Sequence, residues 1–184
     1  MVGRIIDTVK EDHGTIEACY TRIIDDSKRD EQIRFQNLFT WELARNLVGK
    51  ELVVYPALEK HLPDGAALAS KNRNENHIIK EDLKKFQSLD PSNSEYVPAI
   101  NSLMNHLRQH TTDEERNQLP KLEETLSEKE SDHLSKAFSR TKIFLPTRAH
   151  PDAPSKPPFE TAVGLMTAPF DQLADLFRKW PHHT

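Results

Sequence analysis

A single cysteine, Cys19, leaves this chain without any internal disulfide, so packing alone must hold its core. Only five glycines are present, and no stretch alternates apolar and polar residues long enough for a convincing strand, which excludes a sheet built on tight hairpins. No apolar run approaches the ~20 residues of a membrane span. The N-terminal MVGRIIDTVKEDH lacks the apolar stretch of a signal peptide. A soluble, cytoplasmic protein is therefore expected. Excess charge of one sign is missing too. The 25 Lys and Arg are interspersed among 29 Asp and Glu for a formal net charge of −4, which argues against a nucleic acid or an anionic membrane as partner.

What the 184 residues do contain is helical periodicity. Apolar positions recur at helical spacing from Ile5 to about Ile24, from about Ile33 to Leu58, from about Ala66 to Leu89 and from about Val97 to Leu126. DDSKRD, HLPDG and LDPSNSEY separate these segments with turn and capping residues, and connections this short favour antiparallel neighbours. The spacing predicts an all-α fold, an antiparallel up-down-up-down four-helix bundle. A shorter fifth helix is expected over Glu128 to Thr141, completing a bundle over 1–145. Beyond it, LPTRAHPDAPSKPPFE holds five of the twelve prolines and must run as an extended strap. PFDQLADLFRKW then offers Phe170, Leu173, Leu176 and Phe177 on one face of a last amphipathic helix. Residues 146–184 are thus expected to pack on the bundle within a single domain, as a structural brace in preference to a lid.

One offset recurs between the two halves. His13 and His77 are 64 residues apart, as are Glu17 and Glu81, Glu51 and Glu115, Pro56 and Pro120, and Leu58 and Leu122. The chain reads as a duplicated helix pair. The same offset carries His110 and Glu114 back onto Asn46 and Lys50 in RNLVGKELVVYP, where an amide and an ammonium face the expected core. Each four-residue step stacks two side chains on one helix face. The pairs lie on the stripes Ile6, Val9, His13, Ile16, Tyr20 and Leu103, Leu107, His110, Glu114. A lone inward histidine is usually a hydrogen-bonded core residue, but several buried ionisable groups must pair or hold a cation. An inward polar site is expected.

EDHGTIEACY, ELARNLVGKELVVYPALEKHL, NENHIIKEDL and HLRQHTTDEERNQLPKLE resemble the hemerythrin-like proteins with the His-His-Glu cation-binding domain, and the proline-rich tail is similar to that of fungal members. The resemblance implies a four-helix bundle around a non-haem di-iron centre serving oxygen binding, iron handling or redox sensing. It implies ligands at His13, His77, Glu81, His110 and Glu114, with Glu17 as a further carboxylate near the site. Two positions depart from the pattern. The second helix should carry a His and a Glu where this sequence has Asn46 and Lys50; Asn is a poor iron ligand and a protonated Lys cannot coordinate.

Lys50 is accordingly expected to stand in for a cation by pairing with Glu81 or Glu114. The reading favoured from sequence is a metal-independent enzyme without cofactor, of cyclase, isomerase or Diels–Alderase type, acting on an apolar metabolite in the bundle interior. Lys50 would be the electrophilic donor, His13, His77 or His110 the proton carriers, Glu81 and Glu114 the groups setting their charge, with Asn46 beside them. The alternatives are one residual non-haem iron on the remaining His and Glu positions, and a non-catalytic scaffold. Cys19 is read as packing, and Pro56 and Pro120 as points where helices kink or end.

Overall fold

The computed structural model describes residues 3–144, 175 and 178–181. Helix α1 spans Ile5–Asp25. Helix α2 (Arg29–Gly49) passes through a π-helical turn (Lys50–Val54) into α3 (Tyr55–His61), and α4 spans Gly65–Gln87. Helix α5 (Tyr96–Asp113) passes through a second π-helical turn (Glu114–Gln118) into α6 (Leu119–Thr125); α7 (Glu128–Thr141) and a 3-10 turn (Lys142–Phe144) follow. The described residues contain no strand. Four antiparallel rods result, with α7 packed against α1 and the first π-helical turn.

The turns follow from short polar side chains. Asp26 accepts from the Lys28 backbone N–H at 2.9 Å, and Asp90 accepts from that of Ser92 at 2.9 Å, so each chain reversal begins on an aspartate that mimics a turn. Between α3 and α4 the backbone doubles back so tightly that a Cβ on Gly65 would lie 1.9 Å from the Leu58 carbonyl oxygen. Only glycine fits there. Helix α7 starts on a capping box, the Ser127 side chain and the Glu130 backbone and carboxylate satisfying one another.

The rods do not end at their prolines. Pro56 and Pro120 lack an N–H, and their rings crowd the carbonyl four residues earlier. The helix opens by one residue instead: Tyr55 N–H reaches the Lys50 carbonyl and Leu119 N–H reaches that of Glu114. Both helices then continue, so the expectation of a kink or an end resolves into a matched pair of π-helical turns.

The core falls into two apolar clusters. One holds Ile16, Phe39, Leu43, Leu83, Phe86 and Leu103, and the other Ile5, Val9, Tyr55, Leu58, Leu119 and Phe138. Along every rod the residues between the two clusters are polar, and that layer contains the candidate site.

The strap expected over 145–160 lies outside the described residues. So does the last amphipathic helix, except for Asp175 and Arg178–Trp180, and with it the choice between brace and lid. The described C-terminal residues sit on α2: Arg34 donates to the Trp180 carbonyl at 2.5 Å, Asn37 to that of Lys179 at 2.8 Å, and the Trp180 ring meets Trp41 edge-on at 6.3 Å. Among the described residues no helix is long and apolar enough to cross a membrane.

Candidate functional site

Lys50, at the opening of the first π-helical turn, is 0% exposed. Its ammonium donates to Glu114 Oε2 at 2.7 Å and to His110 Nε2 at 3.1 Å. His110 Nδ1 lies 2.7 Å from Glu75 Oε2; a carboxylate only accepts, so Nδ1 carries a proton, while Nε2 accepts from Lys50 in the neutral ring and donates to Glu114 Oε1, 3.2 Å away, in the protonated one. Tyr55 OH stands 3.3 Å from both His110 Nε2 and Glu114 Oε1 and closes the group. Every partner comes from a different turn or helix, so the pairing exists only in the assembled bundle.

A second buried ion pair lies in the same layer. Lys80 Nζ donates to Glu51 Oε2 at 2.6 Å, and Asn76 Nδ2 donates to Glu51 Oε1 at 3.1 Å. Next to it the amides of Asn72 and Gln118 pair at 2.7 Å and 3.1 Å. Two ammoniums thus face two carboxylates, and the layer is charge-balanced without an added cation.

His13 bridges this interior to the surface. Its Nδ1 lies 2.7 Å from Glu115 Oε1, while Nε2 is buried, 3.6 Å from Glu114 Oε2, with no hydrogen-bond partner. His13, Glu17, Leu107, Arg108, Thr111 and Glu115 line a recess of about 200 Å³ beside it. Asn46 is fully buried; its Nδ2 reaches Asp12 at 3.3 Å and its Oδ1 has no partner.

The charges tune one another. Burial alone would push the Glu114 carboxyl up, but His110, Lys50 and His13 outweigh it and hold the group well below the usual carboxylate range. Burial likewise pulls His110 down, yet the charge of Glu114 and the hydrogen bonds that the ring donates to Glu114 and Glu75 prevail over it and over Lys50, and its pKa rises. Hydrogen bonds from His110 and His13 lower Glu75 and Glu115 respectively. Burial and the nearby carboxylates raise Tyr55 far above a free phenol, so it stays a neutral donor. The buried Cys19 thiol, outside the layer, is pushed up to about 12 by burial and then Glu42, and is inert packing.

Several expectations need correction. His77 and Glu81 do not reach the layer: their side chains are 51% and 61% exposed and pair with each other at 3.6 Å. Glu17 also faces outward, bound by Arg108. The cause is the repeat. The offset of 64 holds between α2 and α5, where the two π-helical turns coincide, but on α4 the inward partner of His13 is Asn76, one residue short of it. A one-residue slip turns a helix face by about 100°. The buried stripe of α4 is Ala69, Asn72, Asn76, Ile79, Leu83 and Phe86, so Lys50 pairs with Glu114 and has no contact with Glu81. Sequence reasoning missed Glu51, Tyr55, Asn76 and Lys80. For Asn76 and Lys80 the signal was a second Asn-x-x-x-Lys: NHIIK on α4 repeats NLVGK.

The family model for the hemerythrin HHE cation-binding domain matches residues 4–122. The chain belongs to this hemerythrin family. An uncharacterized hemerythrin-like protein of Schizosaccharomyces pombe is 47% identical over 179 residues, covering 97% of this chain and 88% of that protein. No solved structure gives a significant match. Family membership implies iron, and the donor set can be tested against it. At the inward positions of α2 and α4 this hemerythrin-like chain presents Asn46, Lys50, Asn76 and Lys80, whose ammoniums can only donate. Among the described residues no three His, Cys, Asp or Glu side chains are grouped to hold a metal. The residues do not fit a di-iron centre.

Proposed function

We propose that this hemerythrin-like chain is metal-independent and that its bundle serves ligand binding in place of iron chemistry. The observation that carries the reading is the fully buried Lys50 ammonium on Glu114 and His110, a fixed cation where the family would bring a metal. Releasing Glu114 to a metal would strand the ammonium, a costly state in a buried site. A mononuclear iron on His77, Glu81, His110 and Glu114 loses its first two donors to the surface. The test is metal content by plasma mass spectrometry, with the optical spectrum, on protein expressed in ample iron. Essentially no iron is expected, and a stoichiometric amount would overturn the reading.

A cyclase or Diels–Alderase acting through Lys50 would need that ammonium to reach substrate, whereas Lys50 is enclosed. One observation favours a narrower isomerase-type chemistry: Glu115 is hydrogen-bonded to His13 at the recess, and the far ring nitrogen of His13 faces Glu114 and its partner Lys50 across a 3.6 Å gap. A carboxylate backed by an imidazole can take a proton from the carbon between a carbonyl and an alkene and return it at the far alkene carbon. Cyclohex-3-enone is small enough to probe this. Its conversion to the conjugated enone, followed by ultraviolet absorbance, should be faster with the wild-type chain than with Glu115→Gln; equal rates would remove the catalytic reading and leave binding.

A further inference from the structure

We propose that the cleft between α3 and α7 binds a single long-chain anionic amphiphile, a fatty-acid-like carboxylate. Its volume is about 730 Å³, within the roughly 300–1,000 Å³ typical of small-molecule sites. The wall on the first π-helical turn and α3 is apolar, made by Leu52, Val53, Pro56 and Ala57; Leu134 and Ala137 of α7 face it. The π-helical turn forced by Pro56 lies directly under this wall, a helix irregularity of the kind that often marks function.

The rim is basic. Lys60 borders the cleft from α3, Lys129 from the first turn of α7 and Arg140 from its last, and among the described residues these three side chains form no ion pair. The acids of the rim are engaged by the protein: Glu130 accepts from Ser127 at 2.6 Å and 2.9 Å and also faces the charges of His61 and Lys60, and Asp132 accepts from Gly3 N–H at 3.0 Å and from Lys136. On a chain of net charge −4 this is a local reversal of sign. An apolar trough with cations at its ends complements a molecule with an apolar body and one anionic end. A lipid surface fits less well, because the large exposed apolar side chains among the described residues, Ile24, Ile78, Val97 and Ile143, all lie outside the cleft.

The inference goes beyond metal independence and stands or falls separately from iron content. The experiment is isothermal titration of the full-length chain with laurate and shorter saturated carboxylates below their micelle concentrations, with methyl laurate as uncharged control. Laurate should bind at one site, each methylene should strengthen binding by about fourfold, and the ester should bind more weakly. Lys129→Glu with Arg140→Glu, both exposed, should weaken laurate binding by about tenfold and remove its salt dependence. Ala137→Trp should narrow the trough and weaken laurate binding with helicity retained. Absence of saturable laurate binding, or unchanged binding by the charge-reversed chain, would overturn the proposal. So would binding to anionic vesicles or to an acidic amphipathic peptide without binding to monomeric carboxylate.

Discussion

Lys50 stands where the family resemblance calls for a carboxylate ligand, and the energetics of its burial are testable. Removing one partner of a buried ion pair leaves the other charge uncompensated and typically costs about 3–5 kcal/mol, whereas replacing both with apolar groups is often neutral or stabilising. Lys50→Met should therefore lower the unfolding free energy by about that amount in urea titration, and adding Glu114→Leu should recover most of it. An additive loss would mean that the pair is not coupled. The raised pKa of His110 and the lowered pKa of Glu114 give a second test. A raised basic group adds stability that is full below its unfolded value, 6.5, and disappears as pH climbs through the folded value above it. A lowered carboxyl adds stability that is full above its unfolded value, 4.5, and disappears as pH falls through the folded value below it. Melting temperature should thus peak between the two limbs, with Glu75 and Glu115 adding to the acid limb. His110→Gln should flatten the alkaline limb, and an unaltered alkaline decline would assign it to another group.

At the scale of elements, the turns and π-helical segments set which side chains meet. Gly65→Ala should destabilise the chain by at least about 2 kcal/mol in thermal or urea unfolding, because its methyl would fall on the Leu58 carbonyl at 1.9 Å. By contrast, Ser127→Ala removes only the cap of α7, at a cost of about 1 kcal/mol. Among the described residues the order and rough bounds of the helices were legible from apolar spacing, and Pro56 and Pro120 marked the two irregularities. Their outcome was not legible, since a proline can equally kink, end or bulge a helix, and the choice depends on what the following residues pack against. Here Tyr55, Leu58, Leu119 and Leu122 are buried in one cluster, which favours continuing both helices over ending them.

For the whole molecule, a polar layer that separates two apolar clusters makes the bundle's interior convertible. Asn46→His with Lys50→Glu adds an imidazole and a carboxylate to His13, His110 and Glu114, and removes the ammonium. That variant should bind divalent iron stoichiometrically by plasma mass spectrometry, where the parent is expected to bind essentially none. A variant that stays metal-free would show that Lys80 and Glu51 alone keep the layer closed.

Sequence by itself determined the all-helical class, the antiparallel order, family membership through its motifs, and the placing of Asn46, Lys50, His110 and Glu114 on inward stripes. The helical class and the stripes are properties of a period of 3.6 residues read along one chain, the antiparallel order follows from short connections, and the family rests on the resemblance of its motifs. Only the tertiary structure decided that His77 and Glu81 face solvent and that Asn76 and Lys80 face inward, because the offset of 64 and the NHIIK echo of NLVGK put different residues of α4 inward, and the one-residue slip between them turns a helix by about 100°. It alone paired Lys50 with Glu114 and Lys80 with Glu51. Which charge meets which depends on the rotation of four rods about a shared core, and no single segment encodes that.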